Sequence, residues 1–218
     1  MKIPLASTGL RNKDIQAAIE VLNSGQLTMG KCVLDFENAM ARYLGTRHFV
    51  MVNSGSSANL ILFEALLRPA KGDPKLYPGD GVLVPAVAWP TTIWPIIQLG
   101  LNPVFIDIDF SSVVIDFDNA AHEIESGNTK NIKAIFPIHP LGLGINPQKL
   151  SNFCSKYGLI QINDVCESLG SWFGVKHAGT DGLASTYSFY FSHHITTMEG
   201  GGVATNDDEL ADDLRAIR

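Results

Sequence analysis

Two adjacent histidines, His193 and His194, stand between a hydroxyl-rich run (Ser185, Thr186, Ser188, Ser192) and the string Glu199-Gly200-Gly201-Gly202. Imidazole titrates near neutrality, so either ring could move a proton at physiological pH. Neighbouring side chains on an extended segment point to opposite sides, so at most one of the pair should face a site. Earlier in the chain, Asn53-Ser54-Gly55-Ser56-Ser57 follows a short apolar run and leads into an apolar helix. Such a turn offers backbone N–H groups, hydroxyls and the positive end of a helix dipole to an anion such as phosphate. An ordinary helix cap is the equally plain reading of that string. Asp164 comes directly after Leu159-Ile160-Gln161-Ile162-Asn163, where a carboxylate could pair with a cationic ring nitrogen. Trp89, in a proline-flanked stretch, could stack on a flat ring or simply pack. His139, Cys154, His177 and His193 are scattered and have no metal-ligand spacing.

The elements that must position these residues alternate along the chain. Helical spacing runs over Asn12–Ser24, Lys31–Leu44, Leu60–Leu67, the stretch ending near Leu99, Asp118–Glu125 and Leu150–Tyr157. Apolar strands are expected at His48–Val52, Gly81–Val84, Val104–Asp107, Ala134–Phe136 and Leu159–Ile162. Strands alternating with helices argue for a mainly parallel α/β sheet, whose ligands sit beyond the carboxyl ends of the strands. Three of the polar strings lie at such ends. With 218 residues and 45% hydrophobic side chains, the chain can bury one sizeable core. Sixteen basic against 22 acidic residues give a net charge of −6, which excludes a basic nucleic-acid footprint. Three widely spaced cysteines are a poor disulfide framework, and neither a signal peptide nor a membrane-spanning run of 18 apolar residues is expected. A cytoplasmic protein is the expectation. A last helix, starting near Asp207, runs to Arg218 without a glycine stop.

Taken together and in order, these stretches resemble the DegT/DnrJ/EryC1/StrS sugar aminotransferase family of fold-type-I pyridoxal-phosphate enzymes. The resemblance begins with Ile3-Pro4-Leu5-Ala6 and Leu27-Thr28-Met29-Gly30. It continues through Val52–Leu60, Val84–Trp89, Pro103–Asp109, Asp164–Gly170, Ala178-Gly179-Thr180 and the His-His-Ile…Glu-Gly-Gly segment. It implies a large domain over residues 1–218, with an N-terminal arm to about residue 25. That domain would hold a mainly parallel seven-stranded sheet with helices on both faces, and the chain would end before the family's smaller C-terminal domain. By position it implies that Asp164 meets the pyridine nitrogen and Trp89 stacks on the ring. Gly55, Ser56, Ser57 and Ser188 would hold the phosphate, and Glu167 would lie near the ring hydroxyl.

In that family Ser-Phe-x-x-x-Lys precedes Glu-Gly-Gly, and the lysine carries the cofactor covalently. Counting from Ser188 puts His193 in the lysine's place. The resemblance is therefore to the dehydratase branch, which holds pyridoxamine phosphate and removes the C3 hydroxyl from nucleotide-linked 4-keto-6-deoxyhexoses. The chemistry agrees: imidazole forms no stable link to the cofactor aldehyde, so the cofactor amine stays free for a keto sugar. A base near neutrality must then take a proton from the cofactor's C4′ carbon, and His193 suits that role. As imidazolium it could protonate the departing hydroxyl. Glutamate as amine donor, a homodimer and a role in dideoxysugar and surface-glycan synthesis are further implications.

Three alternatives stand beside this one. An iron–sulfur relative acting on CDP-4-keto-6-deoxyglucose would use Cys166 as its first cluster ligand. An ordinary sugar aminotransferase needs a lysine near position 193, and no lysine follows Lys176. A cofactor-binding chain without catalysis is the third. One departure from the family is Leu141-Gly142-Leu143-Gly144-Ile145-Asn146-Pro147, where relatives often have Leu-Gly-Asn-Pro, so a locally altered loop is expected there.

Overall fold

The computed structural model describes residues 10–218, so the Ile3–Ala6 stretch lies outside the described residues. Helices α1 (Asn12–Ser24) and α2 (Lys31–Leu44) lead into strand β1 (His48–Val52), and α3 (Gly55–Leu67) follows after two residues. Then come β2 (Gly81–Pro85), α4 (Pro90–Gln98), β3 (Asn102–Ile106), α5 (Phe117–Ser126), β4 (Ile132–Ile135), α6 (Pro147–Tyr157) and β5 (Ile160–Asp164). A two-stranded hairpin, β6 (Trp172–Phe173) and β7 (Lys176–His177), precedes β8 (Ala184–Ser188), β9 (Gly201–Thr205) and α7 (Asp208–Ile217).

Seven strands form one sheet in the order β1-β9-β8-β5-β4-β2-β3. The pairings from β8 to β3 are all parallel, and only β9 runs against its two neighbours. Alternate residues of the strands enter different cores, as the period of two demands. Val82 and Val84 of β2 pack with α3 and α7, through Leu62, Leu66, Leu210 and Leu214. Leu83, between them, packs with Phe117 of α5 and Leu150 and Phe153 of α6. At the other end, Val50 and Val203 join the first core, whereas Phe49 and Ala204 meet Met40, Ala41 and Leu44 of α2. The sheet is thus covered on both faces, and its near-continuous apolar strands follow from that.

Two differences from the sequence expectations bear on the site. The expected helix from Leu60 begins five residues earlier, at Gly55, because Ser54 adopts an extended conformation and its Oγ accepts from the Ser57 amide at 3.0 Å. Such a cap stabilises a helix start by about 1 kcal/mol. The polar string is therefore the first turn of α3 and not a loop before it. Strands β8 and β9 were not anticipated: their Ser, Thr and Gly content carries no apolar alternation, yet every residue in both is buried.

The departure at residues 141–147 is also local. Asn146 caps α6 by accepting from the Gln148 and Lys149 amides, with Pro147 at the first helical position. The loop before it is tied to the interior by His139. Nδ1 of that ring accepts from the Ile145 amide at 3.2 Å, so Nε2 carries the proton and donates to Asn163 Oδ1 at 3.2 Å. Burial pushes the His139 pKa below its ordinary value. The unfolded chain therefore takes up a proton that the folded chain refuses, and stability falls as pH drops through the ordinary histidine range. His177, buried against Tyr43 and Trp172, is shifted in the same direction. Urea midpoints should decline between about pH 7.5 and pH 5.5, and His139→Gln should flatten that dependence.

Candidate active site

The carboxyl ends of β1, β2, β5 and β8 open onto one cleft of about 520 Å3. This is within the usual range for a small-molecule site. Its wall includes Gly55, Ser56, Trp89, Asp164, Glu167, Ser188 and His193, so seven of the eight residues singled out by sequence share one cavity. Ser57 does not. Its amide and hydroxyl are bound to Ser54 Oγ, and its side chain lines a neighbouring depression with Leu60 and Trp94.

The α3 N-terminus forms one side of the cleft. Ser54 takes the Ser57 amide with its side chain and the Ala58 amide with its carbonyl, which leaves the Gly55 and Ser56 amides of the first turn for a ligand. The approach of neighbouring chain is close. A Cβ at Gly55 would lie 2.7 Å from Ser188 Cβ, so only glycine lets the serine side chain rest against this turn. Gly201 is constrained from below: a Cβ there would lie 2.3 Å from the carbonyl carbon of Ser54. The glycine string after Glu199 thus permits β9 to start directly against the turn that opens α3.

Asp164, the last residue of β5, is almost fully buried, and three donors converge on its carboxylate. Thr92 Oγ1 donates to Oδ2 at 2.9 Å, Asn59 Nδ2 to Oδ2 at 3.3 Å, and the Cys166 amide to Oδ1 at 3.1 Å. A carboxylate has about four acceptor positions, so one remains, and Asp164 lines the cleft. Trp89 caps α4 from outside its first turn and is 71% exposed, which leaves a ring face open. Glu167 accepts from the Leu141 amide at 3.0 Å and so pins the altered loop to the cleft rim. Cys166 also faces the cleft. Burial, reinforced by the charge of Asp164, pushes its thiol well above the ordinary value, so it is a poor nucleophile. Among the described residues no group of three or more His, Cys, Asp or Glu side chains converges as metal ligands would.

His193 stands half-buried in the cleft wall and His194 is exposed outside it. The segment is not extended, as the sequence reading assumed. It is a series of turns in which the His193 amide donates to the Tyr190 carbonyl and Thr196 Oγ1 to the Phe189 carbonyl. Burial lowers the His193 pKa, and the neighbouring His194 adds to that. Glu167 and Asp164 oppose the shift without cancelling it. The imidazole is therefore neutral at physiological pH, the form that accepts a proton. Among the described residues no lysine lines the cleft.

Sequence reasoning missed Asn59, Thr92, Tyr190, Ser192 and Glu199, all of which line the cleft. Two carried a signal. Asn59 is a polar residue inside an apolar helix, four positions after Gly55 and hence on the same face. Thr92 lies three residues after Trp89, one turn into α4.

The parallel sheet, with one antiparallel strand and a cleft at its carboxyl edge, has the architecture of the fold-type-I aminotransferases. The chain belongs to the DegT/DnrJ/EryC1/StrS aminotransferase family, whose model matches residues 9–218. It is 41% identical over 218 residues to the GDP-4-keto-6-deoxy-D-mannose 3-dehydratase of Yersinia pseudotuberculosis, covering 100% of this chain and 54% of that protein. A crystal structure of a GDP-4-keto-6-deoxymannose-3-dehydratase variant with bound GDP-perosamine superposes with a TM-score of 0.90 at 38% identity, covering 100% of this chain and 55% of that one. Another structure of that enzyme, with a trapped PLP-glutamate geminal diamine, gives the same TM-score, identity and coverage of this chain. The chain spans about half the length of the curated relatives it matches.

Proposed function

We propose that this chain is the cofactor-binding large domain of a pyridoxamine-phosphate-dependent 3-dehydratase. Its substrate would be a nucleotide-linked 4-keto-6-deoxyhexose, with GDP-4-keto-6-deoxy-D-mannose the one that the names of its relatives point to. The observation that carries this reading is the placement of a neutral imidazole, His193, in a cleft with no lysine among its described lining residues.

The cleft fits the cofactor part by part. The first turn of α3 and the Ser188 hydroxyl form a cradle for phosphate, with no space for a Cβ at Gly55. Asp164 has one acceptor position left for a ring N–H, and the open face of Trp89 can cover a flat ring. When bound, pyridoxamine phosphate would supply the amine that condenses with the 4-keto group and a ring that accepts electrons. The protein's own work is then limited and definable. Gly55, Ser56 and Ser188 hold the phosphate, Asp164 holds the ring nitrogen, and Trp89 shields one face. His193 takes a proton from the carbon that bears the amine and, as imidazolium, gives one to the C3 oxygen as it leaves. The 3-deoxy sugar produced would feed synthesis of dideoxysugar-containing surface glycans.

Glutamate is the proposed amine donor, supported by the glutamate adduct in the related structure. A homodimer is proposed because α1 has no residue buried among the described residues and Trp89 and Tyr190 at the cleft are exposed. Among the described residues no helix is long and apolar enough to cross a membrane. A cytoplasmic location accords with a nucleotide-sugar substrate. The test is turnover by the intact protein charged with pyridoxamine phosphate. A 3-deoxy-4-keto sugar should form from the GDP-linked substrate, and glutamate should sustain further turnovers. Formation of a stable 4-amino sugar as the main product would instead make the protein an aminotransferase.

A further inference from the structure

Asn59 and Thr92 have no part in the mechanism above, yet both are about 1% exposed and both donate to the same oxygen of Asp164. They arrive from different elements. Asn59 is one turn into α3, and Thr92 is one turn into α4. Asn59 also donates to the Thr91 carbonyl at 3.1 Å, so its amide group ties α4 to Asp164. The amide cannot be turned over, because its oxygen would then face two acceptors. In the orientation it has, Asn59 Oδ1 is buried without a hydrogen-bond partner among the described residues. An apolar side chain of similar size would remove the cost of that acceptor but leave Asp164 Oδ2 and the Thr91 carbonyl each short of a donor. The Asn59 amide is thus committed to its two donor contacts. Its return is the position of the Asp164 carboxylate: two donors on Oδ2 and the Cys166 amide on Oδ1 leave it no freedom to rotate.

We propose that Asn59 and Thr92 are positioning residues that lock the Asp164 carboxylate with its one free acceptor position aimed at the ring nitrogen of the cofactor, and so set both the affinity for the ring and its protonation. This rests on the reading that the cleft holds pyridoxamine phosphate. A loose carboxylate pays rotational entropy on pairing with the ring, whereas a locked one has already done so. A buried Asp–ring pair also has little tolerance for misdirection, since charge-assisted hydrogen bonds depend on alignment.

The experiment titrates the intact protein with pyridoxamine phosphate, reading Kd from tryptophan quenching and the pH midpoint of the bound cofactor's absorbance. Thermal unfolding of the cofactor-free chain is recorded in parallel. Thr92→Val and Asn59→Leu should each weaken binding by roughly tenfold and move the pH midpoint to lower pH. Thr92→Ser should restore both values to within about twofold of the parent. The cofactor-free chain with Asn59→Leu should unfold at a lower temperature than the parent, because the Thr91 carbonyl and Asp164 Oδ2 each lose a donor, so the cofactor readouts and not stability carry the test. The proposal is overturned if Thr92→Val and Asn59→Leu leave both Kd and the midpoint unchanged while Asp164→Asn weakens binding. In that case the cofactor reading survives alone. It is also overturned if Thr92→Ser behaves like Thr92→Val, or if Asn59→Leu lowers the unfolding temperature without touching the cofactor's spectrum. If the parent chain binds no pyridoxamine phosphate, the cofactor reading falls and this inference falls with it.

Discussion

His193→Asn is expected to lower turnover of the intact protein by about 10²- to 10⁴-fold, the usual contribution of a positioned general base. Cofactor affinity should change little, because the phosphate cradle and Asp164 lie on other elements, α3 and β5. Steady-state turnover and a pyridoxamine phosphate titration on the same variant separate the two effects. The pH profile of the parent supplies an independent check. Burial holds the His193 pKa below its ordinary value, so the acid limb of kcat should fall at lower pH than for a free imidazole. Below that limb the base is protonated before the reaction starts. Retention of more than a tenth of the turnover in His193→Asn would transfer the proton-accepting role to Glu167 or Glu199, two carboxylates that also line the cleft.

The second large effect concerns Asp164. Its carboxylate accepts from Thr92, Asn59 and the Cys166 amide, and each of these partners is a donor. Asp164→Asn would replace one acceptor oxygen with an NH2 group and turn a donor against donors. It would also remove the charge that pairs with a protonated ring. Losing one partner of a buried charged pair typically costs about 2–4 kcal/mol, so pyridoxamine phosphate should bind roughly 30- to 1000-fold more weakly. The cofactor-free chain should unfold at lower urea as well, because the donors of Asn59 and Thr92 are left without an anionic acceptor. A titration on the variant decides the matter, and an unchanged Kd would remove Asp164 from the ring-binding role.

Much of this arrangement is legible in the sequence for simple physical reasons. Strands such as Val82-Leu83-Val84 are apolar throughout because both their faces are covered, and four helices, α1, α2, α5 and α6, end at glycines 25, 45, 127 and 158 in left-handed conformation. Asp164 and the Gly-Ser turn stand out because polar residues directly after such strands fall at the carboxyl edge. The remainder depends on contacts distant in sequence. Ser185-Thr186-Tyr187-Ser188 does not look like a central strand, yet its residues lie between β5 and β9 and their polar groups find partners inside, as when Ser185 Oγ donates to the Gly179 carbonyl. The glycines at 201 and 202 reflect the close passage of Ser54 and Phe49, which no local pattern announces. Thr92 stands one turn beyond Trp89, but its partner, a carboxylate 72 residues later, is set by the fold. Ser57 shows the converse error. Its type and position suit an anion site, but capping geometry turns it toward Ser54.

The central claim is that position 193, and no lysine of the chain, faces the reacting end of the cofactor. The direct measurement is to treat the chain and its His193→Lys variant with pyridoxal phosphate, reduce with borohydride and map the adduct by peptide mass spectrometry. The variant should take up one cofactor at the substituted position, and the parent should show no stoichiometric adduct in any cleft peptide. A stoichiometric adduct on a native lysine of the parent, or a variant left unlabelled at position 193, would contradict the account.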